Sequence, residues 1–263
     1  MKKITGLLTA LLLLTACGSV PLTGRRQMLL VSDSEVLNAS LTQYSDYIRT
    51  APKSTNSTYV AEVNRVGQKI AAATEQYLRN NGMESEIQNF AWEFNTIKSD
   101  EVNAFCMPGG KIVVYEGLLK LVASDDELAT VLGHEVAHAV AKHSNERMSQ
   151  ELVAQYGAAI IGQALSNKSA AIQTVANTVF GLGAQTGLLA YSRTHELEAD
   201  YMGLALMTMA GYDPNQALAF WEKMSAASAG SATPELLSTH PSDSRRIAEI
   251  QKHLPEMAKY KTK

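Results

Sequence analysis

The most constraining feature of this sequence is the string His134-Glu135-Val136-Ala137-His138, which lies in a segment with the residue pattern of an α-helix. Two histidines four residues apart project from one helix face, so both imidazoles can reach a single metal ion. Glu135 follows the first histidine, where a carboxylate can accept a proton from a metal-bound water. The motif arises by chance in roughly one such chain in a hundred. It therefore predicts one Zn²⁺ per chain, with His134 and His138 as ligands and Glu135 as the base.

Catalytic zinc takes three protein ligands and keeps one position open. A metzincin site would need a glycine at position 141 and a histidine at position 144, but the chain has Ala141 and Ser144. A glutamate from a second helix is the other common ligand. Glu196 and Asp200 share one helix face, whereas Glu198 points elsewhere. We therefore expect Glu196 to be the third ligand and Asp200 to hold a ligand histidine by its free ring nitrogen.

Other acidic and histidine residues carry no such pattern. Glu146 and Glu151 follow the motif, but neither has a carboxylate four residues later, so they are predicted to be solvated charges on helix surfaces. For His143, His195 and His253, roles in packing or at the surface are expected.

The N-terminus has the organisation of a secretory signal peptide. Lys2 and Lys3 precede an apolar run over residues 4–14, which is too short to span a bilayer. The run ends in Leu-Thr-Ala followed by Cys17, which resembles a bacterial lipobox. This pattern predicts a signal peptide at 1–16, a lipid on Cys17 and a tether over 17–30; an ordinary signal peptide is the alternative. Cys106 would then be the only thiol left, which excludes an intrachain disulfide.

The composition suits a folded domain that does not bind nucleic acid. Of 263 residues, 46% are hydrophobic and 19% charged, the net charge is −3, and no run of Lys or Arg occurs. The segment 156–191 is rich in Ala and Gly and nearly uncharged, which leaves membrane helices as an alternative to closely packed soluble ones. Polar side chains interrupt each apolar run well short of a membrane span, so the soluble interpretation is preferred.

The periodicity predicts an α+β fold, mainly α, in one domain over residues 31–263. Segment 90–94 alternates with period two, as a half-buried strand should, and 102–105 and 111–115 are predicted to be two further short strands. The Pro-Gly-Gly turn at 108–110 predicts a hairpin between the last two. We expect a small, mostly antiparallel three-stranded sheet beside the motif helix. The predicted helices are 36–48, 59–78, 125–143, 151–165, 170–189, 196–210, one beginning at Pro214, and 242–258.

The motif at 134–138, together with Ser192-Arg193 ahead of Glu196-x-x-x-Asp200, resembles the gluzincin metallopeptidase family that contains HtpX and the CAAX prenyl proteases. The lipobox resembles the periplasmic lipoprotein branch of that family, typified by LoiP and BepA. Segment 101–105 matches the family's strand beside the cleft. Residues Thr239-His240-Pro241 match the family's C-terminal element.

The resemblance implies a zinc metalloendopeptidase that acts on misfolded or misassembled envelope proteins from a lipid anchor at the periplasmic face of the outer membrane. It implies that Asn103 and Ala104 lie along the substrate and that His240 is a fourth ligand or gate over the metal. Arg246, with Arg245 as a substitute, would stabilise the oxyanion. A chaperone-like or assembly factor with a self-inhibited zinc site is the rival prediction. A zinc hydrolase of non-peptide substrates is a third.

Overall fold

The computed structural model describes residues 17–156, 168–181, 191–227, 236–237, 240 and 244–261. The predicted signal peptide and parts of the helices predicted at 151–165 and 170–189 lie outside these residues. Within the described ranges, no helix is both long enough and apolar enough to cross a membrane.

The described chain is mainly helical, with five short strands, as the predicted fold class requires. The strands are β1 (Cys17–Ser19), β2 (Arg26–Met28), β3 (Glu93–Ile97), β4 (Ala104–Met107) and β5 (Lys111–Tyr115). The helices are α1 (Asp33–Thr50), α2 (Ser57–Asn80), α3 (Glu84–Ile87), α4 (Glu116–Leu119), α5 (Asp125–Val140), α6 (His143–Tyr156), α7 (Lys168–Ala176), α8 (Arg193–Met209), α9 (Gln216–Ala227) and α10 (Ser244–His253). A π-helical turn (Asn177–Gly181) follows α7, and a 3₁₀ helix (Leu254–Tyr260) follows α10.

Strands β1 and β2 form an antiparallel hairpin within the segment predicted to be a tether. The hairpin lies on the domain: Leu30 N–H, just beyond it, donates to Ser149 Oγ of α6 at 2.9 Å, and Arg25 in its loop bonds two carboxylates of the domain. Residues 17–30 are therefore not a free tether, because these contacts fold them onto α6 and α8.

The three-stranded sheet has the order β3-β5-β4. The hairpin of β4 and β5 is antiparallel, as predicted, and its turn contains Gly109 and Gly110, both with positive φ. Strand β3 instead pairs in parallel with β5, so the sheet is mixed and not mostly antiparallel. The hairpin places β5 in the middle of the sheet and leaves β4 as an edge beside α5. Strand β3 therefore pairs with β5, which runs in the same direction, and not with β4, so the prediction was wrong on this pair.

Helix α5 carries the histidine motif and is buried on nearly all sides. It crosses α8 at a point where two glycines meet. A Cβ atom on Gly203 would lie 2.9 Å from the backbone nitrogen of His134, and one on Gly133 would lie 2.9 Å from the carbonyl oxygen of Gly203. The two backbones can touch only because both side chains are absent. This contact places the first turns of α8 beside the motif.

Candidate metal centre

Two histidines from α5 and one glutamate from α8 converge in the buried interior. The Nε2 atoms of His134 and His138 lie 3.0 Å apart. The carboxylate of Glu196 lies 3.4 Å from His134 Nε2 through Oε2 and 3.5 Å from His138 Nε2 through Oε1. The i, i+4 spacing on one helix and the glycine contact with the next therefore bring the three predicted ligands together.

His240 occupies a fourth corner of this group. Its Nδ1 lies 3.2 Å from His134 Nε2 and 3.1 Å from Glu196 Oε1. The backbone N–H of His240 donates to Leu236 O, and the N–H of Leu236 donates to Val102 O, just before β4. The segment that carries His240 is thus attached to the beginning of the edge strand.

The four side chains His134, His138, Glu196 and His240 fit one metal ion. All their ligand atoms lie within 4.8 Å of one another, and the separations given above run from 3.0 to 3.5 Å. Tetrahedral zinc with Zn–N bonds near 2.05 Å separates its ligand atoms by about 3.3 Å. Three imidazoles and a carboxylate are also a donor set that zinc accepts.

Glu135 is fixed by the edge strand. Its Oε2 accepts a hydrogen bond of 3.0 Å from the backbone N–H of Cys106 in β4. Its Oε1 lies 3.4 Å from His240 Nε2 and has no hydrogen-bond partner within the described ranges, although it is buried. Burial raises the pKa of this carboxyl above its ordinary value. One oxygen is therefore anchored, and the other faces the predicted ligands.

Asp200 holds His134 as the sequence predicts, because its Oδ1 lies 2.9 Å from His134 Nδ1. Arg246 donates to both oxygens of the same carboxylate at 2.6 Å. Burial lowers the pKa of His134, but the hydrogen bonds to Asp200 and Glu196 outweigh it and raise the pKa to about 9 without metal. Burial opposes ionisation of Asp200, but Arg246 and His134 hold its pKa below the usual range.

Arg246 lies behind the ligands and not over the reacting face. Besides Asp200, its guanidinium contacts Glu196 Oε2 at 3.1 Å and donates to the carbonyl oxygen of His240 at 3.1 Å. Trp221 covers it, with 3.9 Å between the ring centroid and Cζ. In the conformation described, these contacts occupy the N–H groups that an oxyanion would need, so Arg246 is not placed here to stabilise one. Arg245 is exposed.

Asn103 and Ala104, which the resemblance expects to lie along the substrate, are found just before β4 and at its first position. Asn103 is buried just before β4, and its carbonyl oxygen accepts from Tyr115 N–H. In an antiparallel ladder the next residue turns its N–H and C=O outward, so Ala104 and Cys106 present backbone groups on the side of β4 away from β5. This side is buried, and its Cys106 N–H is bonded to Glu135. The Cys106 thiol is buried, and burial raises its pKa.

A second polar cluster, which the sequence did not reveal, lies behind His138. The ring of His143 is buried and contacts His138, with 2.8 Å between the two Nδ1 atoms. Its Nε2 lies 3.0 Å from Glu198 Oε2. Burial lowers the pKa of His143 to about 4, despite the hydrogen bond to Glu198. Helical spacing could not indicate this contact, because His143 comes five positions after His138 and the left-handed Lys142, with φ 56°, ends the regular helix between them.

Glu146 belongs to this cluster and is buried, which corrects the prediction of a surface charge. Its carboxylate accepts from Arg25 at 2.7 and 3.0 Å and lies 3.0 Å from His195 Nε2. Burial opposes ionisation, but His195 and Arg25 lower the pKa of Glu146 to about 2. Glu151 and His253, also expected at the surface or in packing, are both partly exposed. His195 packs on His143, with 4.4 Å between the ring centroids.

A buried His-Glu-x-x-His helix completed by a glutamate from a second helix defines the metallopeptidase class called gluzincins. The sequence profile of Peptidase family M48 matches residues 61–254, and the chain belongs to this family.

Curated relatives carry two different names. Mitochondrial metalloendopeptidase OMA1 of Schizosaccharomyces pombe is 40% identical over 174 residues, which cover 65% of this chain and 49% of that protein. The OMA1 protein of Arabidopsis thaliana is 41% identical over 162 residues, covering 62% of this chain and 31% of the relative. The Beta-barrel assembly-enhancing protease of Escherichia coli K12 is 28% identical over 174 residues, which cover 63% of this chain and 35% of that protein. The chain spans half or less of the length of these relatives.

Proposed function

We propose that this protein is a zinc metalloendopeptidase in which His134, His138 and Glu196 hold the ion and Glu135 is the general base. The observation that carries the proposal is the position of Glu135. One of its oxygens is pinned by the N–H of Cys106, and the other is buried beside the three ligands without a hydrogen-bond partner in the described residues. Membership of family M48 and the names of the relatives agree with this activity.

Zinc bound at this site would polarise the scissile carbonyl and lower the pKa of its water to about 7. Glu135 accepts the proton of the attacking water at Oε1 and passes it to the leaving amine. Asp200 and Arg246 hold His134 and Glu196 in place throughout.

The proposed substrate is an extended peptide on the outer edge of β4. Ala104 is buried in the conformation described, so this edge has to be uncovered before a peptide can pair with it. Backbone groups of Ala104 point away from β5, so a substrate strand can add there by main-chain hydrogen bonds. Asn103 and Ala104 are then the residues that lie along the substrate. The N–H of Cys106, two residues further on, already reaches Glu135, so this edge leads directly to the catalytic carboxylate.

We interpret the conformation described as a closed one, because His240 Nδ1 lies 3.2 Å from His134 Nε2, where a fourth ligand would lie, and Leu236 N–H donates to Val102 O. Substrate and water need that corner, so we propose that His240 is a gate that withdraws before peptide hydrolysis. The same contact supports the second candidate function, a chaperone-like or assembly factor whose zinc site stays closed.

We also propose that the protein is lipidated on Cys17 and acts in the bacterial envelope, at the outer membrane's periplasmic face, on misfolded or misassembled proteins. The lipobox supports the anchor, and the name of the Escherichia coli relative, a Beta-barrel assembly-enhancing protease, supports an envelope role. Mass spectrometry of the purified N-terminal peptide tests the lipid. The parent should carry a diacylglyceryl group on Cys17 and Cys17→Ser none; an unmodified Cys17 would refute the anchor.

Casein hydrolysis with metal analysis tests the activity. We expect His240→Ala to cleave casein at least as fast as the parent, and Glu135→Gln to lose at least ~100-fold of the activity while keeping one zinc per chain. Undiminished cleavage by Glu135→Gln would refute Glu135 as the base. Zinc in both the parent and His240→Ala, with cleavage by neither, would favour the chaperone-like function.

A further inference from the structure

The two ligand histidines are supported in different ways. His134 contacts a carboxylate directly, since its Nδ1 lies 2.9 Å from Asp200 Oδ1, and Arg246 holds that carboxylate. Among the residues that the structure describes, none places a carboxylate at Nδ1 of His138. Its neighbour there is the ring of His143, at 2.8 Å between the Nδ1 atoms.

The positions of the hydrogen atoms follow from the metal site. His138 turns Nε2 toward His134 and Glu196, so this atom must be unprotonated to bind zinc. Nδ1 of His138 therefore carries the hydrogen and donates to Nδ1 of His143. His143 then keeps its own hydrogen on Nε2 and donates it to Glu198 Oε2 at 3.0 Å.

The N-terminal hairpin holds the end of this chain of bonds. Arg25, between β1 and β2, donates from Nε to Glu198 Oε2 at 2.7 Å, and the hydroxyl of Thr23 donates to Glu198 Oε1. Arg25 also bonds Glu146 through its two terminal nitrogens. Glu198 is thus fixed by a segment more than 170 residues away in the sequence.

The turn between α5 and α6 is built around this contact. Lys142 adopts a left-handed conformation, which a residue with a side chain seldom takes. Its ammonium group binds Asp33 at 2.7 Å and Glu86 at 2.8 Å, which holds the turn. The turn directs His143 back against His138, where the ring is fully buried.

We propose that His143, Glu198 and Arg25 form a relay that positions His138 for zinc, so that the N-terminal hairpin is a structural part of the metal site. The inference rests on the proposed function to the extent that the site binds zinc. Asp200 and Arg246 support His134 in the same way, as a carboxylate held by an arginine. Behind His138 the carboxylate and the arginine are Glu198 and Arg25, and the imidazole of His143 lies between them and the ligand.

Zinc affinity tests the relay, measured by chelator competition on the purified full chain, with the absorption spectrum of the Co²⁺-substituted protein as a probe of ligand geometry. His143→Phe keeps a ring but neither accepts nor donates, and we expect zinc binding about 10–100-fold weaker and an altered Co²⁺ spectrum. His143→Gln keeps an acceptor and a donor and should recover part of the affinity. Arg25→Met should weaken zinc binding about 3–10-fold, because it acts through Glu198 and His143.

Lys223→Met is the matched control, because Lys223 is a partly exposed cation paired with the nearly buried Glu127, as Arg25 is with Glu198. It should leave zinc affinity and the Co²⁺ spectrum unchanged. In the double variant, Arg25→Met should cause no further loss of zinc affinity beyond that of His143→Phe, because the relay is already broken.

Circular dichroism identifies the variants that fold; should His143→Phe not fold, Arg25→Met decides alone against the control. A parent that binds no zinc would overturn the proposed function together with the relay. A parent that binds zinc tightly, with folded His143→Phe or Arg25→Met within twofold of it, would overturn the relay alone. An equal loss in Lys223→Met would also overturn it.

Discussion

His134 and Asp200 are 66 residues apart in the sequence, yet Nδ1 of the histidine lies 2.9 Å from Oδ1 of the aspartate in the interior of the protein. The contact determines which ring nitrogen of His134 is free, because the hydrogen on Nδ1 is donated to the carboxylate and Nε2 is left for a metal. Arg246 balances the buried charge of Asp200 with two bonds. The orientation of His134 as a ligand therefore depends on Asp200.

Asp200→Asn should weaken zinc binding about 10–100-fold, because the amide no longer specifies the tautomer of His134. It should also lower the free energy of unfolding of the metal-free protein by about 3–5 kcal/mol, since Arg246 loses its main buried counter-charge. Chelator competition and urea unfolding measure the two effects. An unchanged zinc dissociation constant in a folded Asp200→Asn protein would show that Asp200 does not orient His134.

Gly203→Ala should separate α5 from α8, because its Cβ would lie 2.9 Å from the backbone nitrogen of His134. We expect a loss of about 1–3 kcal/mol in unfolding free energy and weaker zinc binding, since Glu196 moves away from the histidines. Gly67→Ala is the control: its Cβ meets the Phe94 side chain in another part of the core. The control should lose stability and keep zinc affinity; equal zinc affinity in both variants would contradict the prediction.

Glu146 predicts a pH dependence of stability. Its pKa is about 2 in the folded protein against an ordinary value of 4.5, so the ion pairs stabilise the fold above pH 4.5 and are lost as the pH falls toward 2. Glu146→Gln should lower stability by about 1–2 kcal/mol at pH 7, and the difference from the parent should shrink steadily below pH 4.5 and be mostly lost by pH 2. Urea unfolding from pH 7 to 2 measures it, with the partly exposed Glu151→Gln as control. A difference that does not depend on pH would exclude this origin.

His240→Ala should retain one zinc per chain, because His134, His138 and Glu196 provide the three ligands that catalytic zinc needs. His138→Ala should bind less than a tenth as tightly as His240→Ala. Elemental analysis after dialysis distinguishes the two. If His240→Ala lost the metal while His138→Ala retained it, the assignment of His240 as a gate would have to be given up.

The sequence was informative where the chemistry depends on local spacing. His134, His138 and Glu135 lie on one helix, and the Glu196–Asp200 spacing identified one face of another, so the geometry of a single helix was enough to predict both groups. The hairpin was likewise readable from a short turn. Helix boundaries agree less well. The helices predicted to begin at 36 and 59 begin at Asp33 and Ser57, because they are capped by Ser32 and Asn56, and the helix predicted from 151 begins at His143.

The remainder depends on packing between distant segments. Arg246 was expected from a resemblance, but its place behind the ligands depends on how α10 packs against α8. The contacts of His143 and Glu146 with Glu198 and Arg25 join α6, α8 and the N-terminal hairpin, and no periodicity links those segments. The parallel pairing of β3 with β5 similarly depends on which strand the hairpin places in the centre.

Anomalous diffraction at the zinc absorption edge, from crystals of the purified protein, tests the central claim most directly. The account predicts a single strong peak per chain within about 2.0–2.2 Å of His134 Nε2, His138 Nε2 and a Glu196 oxygen, with Glu135 beside it but not bound. The occupant of the fourth position, water or His240, would distinguish the open from the closed form. Zinc-supplemented crystals with no peak among these side chains, or with zinc bound at other residues, would contradict the account.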